Sequence, residues 1–288
     1  MDDLTLLAAL ALVALGIGAS SYGVLIGSGG GFIVSPLLII LFGLDHNVAV
    51  GTSLFTVALA SISGSVSYLY LKRVDLRSAF LFSLAAIPGA LLGILGLKAV
   101  TEGPFEVIFG SFLSLIGLYV MLRPEYKVKL PERGVPRGIR RPAQARAFGS
   151  TIRRIRTSNL GTFRYLYNEP GAVATNGLFG FLSSFFGMGG GPVRTPMLVY
   201  LFRFPVVIAT ATSVFTQSIY TSIGTVAHIV DGNVSIFPAL LIGFGMVFGA
   251  QLGVYLSRFL RGNWILKLLS LALVAIGIQL ILKGLEII

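Results

Sequence analysis

Gly27-Ser-Gly-Gly-Gly31 and Gly187-Met-Gly-Gly-Gly191 are two places where this sequence prepares backbone, rather than side chains, for chemistry. Glycine tolerates positive φ and lets a ligand come close to the main chain. Gly27, Gly29, Gly30 and Gly31 are therefore read as substrate-binding, together with Gly187, Gly189, Gly190 and Gly191. A short apolar stretch follows each run, and a helix starting there offers free N–H groups and a positive dipole end to an anion. Arg194 adds a charge three residues after the second run, where the first half has Val34. Thr52 and Ser53, with Thr212 and Ser213, are hydroxyl donors placed alike in the two halves, and Gln217 stands opposite Val57. Each has a plainer reading. Glycines also let membrane helices pack tightly, a helical hydroxyl often bonds its own backbone, and an arginine near a surface snorkels. Gln251 and His228 likewise occur in one half, opposite Leu91 and Tyr68; His228 is read mainly as a satisfied interfacial histidine, with proton coupling as the sharper alternative.

The inventory excludes much. Neither glycine run has the Lys and Ser or Thr of a phosphate-binding loop, so neither is a nucleotide fingerprint. Cysteine is absent and His46 and His228 are the two histidines, without a histidine–carboxylate ladder or nucleophile elbow. Enzyme is the poorer class, and neither metal nor cofactor is expected.

The elements that must position these residues repeat. The two runs lie 160 residues apart, and residues 27 to 93 share 22 identities in 67 positions with residues 187 to 253 at that fixed offset. Gly51-Thr-Ser-Leu-Phe-Thr56 meets Ala211-Thr-Ser-Val-Phe-Thr216, and Gly89-Ala-Leu-Leu-Gly93 meets Gly249-Ala-Gln-Leu-Gly253. The chain is a duplicated unit. Only 11% of its residues are charged and mean hydropathy is +0.88, too few charges to cover a water-facing surface, so most of the surface faces lipid. Apolar segments run 4–26, 32–44, 47–71, 76–97 and 105–122, then 171–186, 192–204, 206–230, 235–260 and 264–282. The expected fold is an all-α integral membrane protein of two five-segment repeats, residues 1–124 and 169–288. In each repeat the second segment is too short to span roughly 30 Å of hydrocarbon. It re-enters if its glycine turn lies inside the membrane.

An odd number of segments turns the second repeat over relative to the first. Between the repeats, residues 125–168 hold eleven Lys and Arg against Glu125 and Glu132, net +9. That places this linker in the cytoplasm and both termini outside, which also puts Lys72, Arg73, Arg77, Arg203, Arg258, Arg261 and Lys267 inside. Residues 148–163 suit a short interfacial helix or a disordered basic loop. Anionic lipid or a cytoplasmic protein is the linker's expected partner, and nucleic acid is not.

Gly27-Ser-Gly-Gly-Gly-Phe-Ile-Val-Ser-Pro-Leu-Leu38, Gly51-Thr-Ser-Leu-Phe55, their copies at 187–198 and 211–215, and Pro88-Gly-Ala-Leu-Leu-Gly93 resemble the TauE/SafE family of sulfite exporter-like transporters. The resemblance covers both halves and leaves out the basic linker. It implies a multi-pass inner-membrane protein that moves small, often sulfur-containing anions such as sulfite, thiosulfate or sulfoacetate. The residues alone reach a small anion carried by inverted repeats, with a coupling proton as the optional second partner. A passive anion channel and a membrane scaffold with a lipid- or partner-binding linker are the alternatives.

Overall fold

The computed structural model describes residues 3–122, 149–259 and 262–285. The proline-bearing start of the linker lies outside the described residues. Ten helices occur among them: α1 (Asp3–Ile26), α2 (Gly31–Phe42), α3 (His46–Tyr70), α4 (Leu76–Leu97), α5 (Glu102–Leu122), α6 (Glu169–Phe186), α7 (Gly191–Tyr200), α8 (Val206–Val230), α9 (Ile236–Leu256) and α10 (Gly262–Gly284). Among the described residues, five stretches are long and apolar enough to cross a membrane: Leu6–Ile26, His46–Tyr70, Leu76–Leu97, Val206–Val230 and Ile236–Leu256. Their outer faces carry exposed apolar side chains such as Leu84, Leu91, Leu95, Phe237, Phe244 and Phe248. This is a mostly helical membrane protein.

Local sequence sets the helix ends. Asp45 and Asp75 cap α3 and α4, accepting from Asn47 N at 2.8 Å and Ser78 N at 3.4 Å, while Asn168 caps α6 through Gly171 N at 3.0 Å. Beyond α3 and α7 the chain leaves the helix through Lys72 (φ 52°) and Arg203 (φ 59°), left-handed residues that end a helix at some cost for a side chain with a Cβ. At 12 and 10 residues, α2 and α7 reach only about 18 and 15 Å at 1.5 Å per residue.

The helix pairings map onto themselves when the first five helices are exchanged for the last five. α1 packs on α9 as α6 packs on α4, α3 on α9 as α8 on α4, and α2 on α3 as α7 on α8, while α3–α8 and α5–α10 cross each other. Small residues make the closest crossings. Carbonyls of Ile242 and Val13 would lie 2.2 Å from a Cβ on Gly16 and Gly245, and those of Gly177 and Ala86 at 1.9 and 2.0 Å from one on Gly89 and Gly180. Such backbone approach replaces the hydrophobic drive that lipid withholds from helix association.

The all-α expectation needs one correction. Neither an interfacial helix nor a loop forms after residue 149; β1 (Ser150–Thr157) and β2 (Gly161–Asn168) pair antiparallel, with Arg154 opposite Arg164 and Ile155 opposite Phe163. The reason is period. Ile155 and Thr157, with Phe163, Tyr165 and Tyr167, alternate on the face turned toward the helices, and Arg154, Arg156 and Arg164 on the other, which suits a half-covered strand pair. Tyr165 and Tyr167 meet Phe204 with ring centroids 4.5 and 4.8 Å apart, so the hairpin packs beyond the end of α7.

Candidate functional site at the crossing of two glycine turns

The turns between α1 and α2 and between α6 and α7 press against each other in the interior. Gly27, Gly29 and Gly30 have φ of 87°, 72° and 104°; Gly187, Gly189 and Gly190 have 67°, 75° and 72°. Main chain fills the space that side chains would need. A Cβ on Gly31 would come 2.5 Å from the Gly187 carbonyl oxygen, and one on Gly191 would come 2.2 Å from that of Gly27. Glycine is required here by both the left-handed backbone and the crossing.

Hydroxyls from the third helix of each half strap the opposite turn. Ser53 Oγ donates to Gly187 O at 2.8 Å, and Ser213 Oγ donates to Gly27 O at 2.9 Å. The neighbouring threonines hold the far helix instead: Thr52 Oγ1 accepts from Ser235 N at 2.9 Å, and Thr212 Oγ1 from Asp75 N at 3.1 Å. All four are buried, and none makes the local backbone bond that was their plainer reading.

Onto this exchangeable frame the second half adds side chains that the first half lacks. Gln217 Nε2 donates to Ser28 O at 3.0 Å, and its Oε1 has no partner among the described residues. It lies between the two runs, 2.7 and 1.8 Å from where Cβ atoms on Gly29 and Gly189 would stand. Arg194 is fully buried. Its Nε donates to Asn176 Oδ1 at 2.8 Å and its Nη1 to Tyr220 Oη at 3.3 Å; Tyr220 in turn donates to the Gly189 carbonyl. The guanidinium carbon sits 4.8 Å from the Tyr220 ring centroid, which adds cation–π attraction. Nη2 is without a partner, and no carboxylate pairs with Arg194 among the described residues. The arginine therefore does not snorkel; it is a fixed interior charge held by neutral groups.

Asn176 and Tyr220 were missed by sequence reasoning. Their signal is the 160-residue offset itself, which sets them opposite Gly16 and Ala60, just as Arg194 stands opposite Val34. Gln251, the other one-sided amide, is peripheral. It is exposed and ties α9 to α3 through Ser63 O at 2.9 Å.

One end of the frame is locked by charge. Asp75, fully buried, receives Arg153 Nε from the hairpin at 3.0 Å, Tyr165 Oη at 2.6 Å and Ser78 Oγ at 2.7 Å. Burial works to raise the Asp75 carboxyl, but the hydrogen bonds from Arg153, Tyr165 and Ser78 outweigh it and hold the group below the ordinary carboxylate range. Burial and then the carboxylate push the Tyr165 phenol far up, and burial first of all puts Tyr167 at about 12. At the exchange-related end, Ser235 occupies the place of Asp75.

The family profile for the sulfite exporter TauE/SafE family matches residues 12–280, taking in both turns and everything they touch. The chain belongs to the TauE/SafE family. Similar proteins include the probable membrane transporter protein YunE of Bacillus subtilis, 32% identical over 95% of this chain and 97% of that one. A probable membrane transporter protein of Xylella fastidiosa is 25% identical over 90% of each chain. Another from Methanocaldococcus jannaschii is 26% identical over 94% of each. No solved structure matches the chain. Family and relatives' names alike point to membrane transport.

Proposed function

We propose that this TauE/SafE protein is a secondary transporter of a small, sulfur-containing anion across the cell membrane, with the anion bound where the two glycine turns cross. The observation that carries the reading is Arg194: a guanidinium buried completely, oriented by Asn176 and Tyr220, with one amino group unpartnered and no acid paired with it among the described residues. A permanent cation is expensive in a low-dielectric interior unless an anion joins it. The starts of α2 and α7 meet at the same place and favour the same charge. Gly189 lies against Gln217 and Gly190 against the Tyr220 hydroxyl, Gln217 reaches across to the first turn, and the strapping serines keep the two turns in register.

In this reading the halves are inverted repeats, as the odd segment count requires and as the self-mapping helix pairings support. An in-plane two-fold axis passing between the turns puts them near the bilayer midplane, so that α2 and α7 are re-entrant. This is the arrangement used generally by transporters with broken helices. Alternate gating of the halves then exposes the site to either side. The sulfur class comes from the name of the family; the charge fits sulfite, thiosulfate or sulfoacetate alike.

The test is flux into liposomes carrying the purified protein, with labelled sulfite, thiosulfate, sulfoacetate and sulfate, with and without ion gradients. Concentrative movement of at least one anion is expected, lost in Arg194→Ala and partly kept in Arg194→Lys. Flux that never exceeds equilibration points to a channel, and an unchanged affinity in Arg194→Ala removes Arg194 from the site.

A further inference from the structure

His228 lies eight residues beyond Tyr220 on α8, fully buried, and neither ring nitrogen has a partner among the described residues. That differs from the satisfied interfacial histidine expected of its position. Its exchange mate Tyr68 shows what a satisfied group looks like there, donating Oη to Val24 O at 3.1 Å. The hydroxyls of Thr225, one turn before His228, and of Ser184 on α6 are also buried and without a partner among the described residues. Gly224 leaves the space beside Ser184, whose Oγ would be 3.3 Å from a Cβ there, and His228 Nδ1 lies 3.1 Å from where a Cβ on Gly51 would be. Gln217, Tyr220, Gly224 and His228 recur at helical spacing, so one face of α8 runs from the turn crossing to the histidine.

The charged groups facing His228 are Asp231, one turn further along, and Lys98 at the end of α4. They pair with each other at 2.8 Å and leave no net counter-charge for an imidazolium. Gly51 of α3 faces the ring and stands against Asn233 O of the α8–α9 connection, neither residue ionisable, and Ser184 of α6 lies against Gly224, one turn before the histidine. A buried imidazolium without a counter-ion is disfavoured, and an anion nearby reverses that balance. We propose that His228 is a proton-binding station that takes up a proton together with the transported anion; the inference rests on the anion reading above. Proton and anion then stabilise each other by one reciprocal coupling free energy. Along α8 the eight residues from Tyr220 to His228 correspond to about 12 Å. At an effective dielectric of about 20, unit charges at that separation change an equilibrium constant about tenfold.

The experiment uses the full chain in lipid nanodiscs with nitrogen-labelled histidine. There are two histidines, so the spectrum of His228→Tyr identifies both. Sulfite, thiosulfate, sulfoacetate and sulfate are each titrated by calorimetry across pH, and the His228 ring is followed with and without the anion that binds. The expected results are an anion affinity that rises about tenfold as pH falls through the His228 midpoint, a midpoint that moves up by a comparable factor when anion is bound, and an affinity nearly independent of pH in His228→Tyr. Binding that ignores His228 protonation, or a pH dependence retained in His228→Tyr, overturns the proton station and leaves the anion site standing. Binding of none of the four anions overturns both.

Discussion

At the scale of single residues, the crossing of the turns is where a substitution should matter most. Gly191→Ala puts a Cβ 2.0 Å from Ser28 Cα and 2.2 Å from Gly27 O, main-chain atoms that cannot rotate away. Gly232→Ala also introduces a side chain at positive φ, 74°, but nothing lies within 4 Å of its Cβ. The second should cost about 1 kcal/mol of backbone strain, and the first should prevent the halves from closing. Yield of monodisperse protein in detergent and its melting temperature check the contrast. Ser53→Ala and Ser213→Ala each remove a buried donor from a turn carbonyl. Each should cost about 1–3 kcal/mol, because the carbonyl is left less satisfied where water does not reach. Near-equal losses in thermal melts of the two variants are expected, since the two bonds are exchange mates.

The telling element is the β-hairpin. Nothing requires it for crossing a membrane, yet it sends Arg153 and Tyr165 to Asp75, whose backbone N–H is held by Thr212, next to the serine that straps the first turn. The hairpin thus braces one end of the transport frame, and among the described residues the Ser235 end has no such clamp. Asp75→Asn strands Arg153 and should loosen the hairpin by about 2–3 kcal/mol, less than the ~3–5 of a fully buried pair because Arg153 keeps some solvent. Faster amide exchange across residues 150–168 is the readout. The pH dependence follows from the depressed carboxyl. The Asp75 contribution is complete above the ordinary carboxylate pKa of about 4, and it is lost as pH falls through the lower folded value. Hairpin protection should therefore be flat from pH 8 to 5 and fall only in stronger acid.

For the whole molecule, the prediction concerns sidedness. The chain has no cysteine, so single cysteines report orientation without background. Ser158→Cys on the hairpin tip and Glu102→Cys at the start of α5 are exposed positions. They should react with an impermeant thiol reagent from opposite sides of the membrane, Glu102→Cys from outside. Labelling of both from one side would remove the inverted arrangement, and with it the midplane position of the turns. The same exchange symmetry sharpens the functional picture. The frame is duplicated, but Asn176, Arg194, Gln217, Tyr220 and His228 stand opposite Gly16, Val34, Val57, Ala60 and Tyr68. The groups proposed to choose the anion therefore sit on one side of a symmetric scaffold.

Much of this was written in the sequence, because hydropathy and a fixed 160-residue offset are one-dimensional signals. Lipid admits little besides satisfied helices, so segment limits such as 76–97 and 206–230 coincide with α4 and α8. The glycines, the hydroxyl pairs and Arg194 could be named for the same reason. Their partners could not. That Ser53 holds residue 187 and not its own helix, that Arg194 is met by Asn176 and Tyr220, and that Asp75 waits for a hairpin 78 residues away are facts of packing. The hairpin was misread because arginines alternating with apolar residues suit a helix at a lipid surface as well as a strand. Only contact with Phe204 and Asp75 gives one face of that alternation something to bury against. Sequence periodicity decides what can enter the membrane, whereas the meeting of two turns exists only once the halves are folded together, and the neutral surroundings of Arg194 only once α6, α7 and α8 are packed.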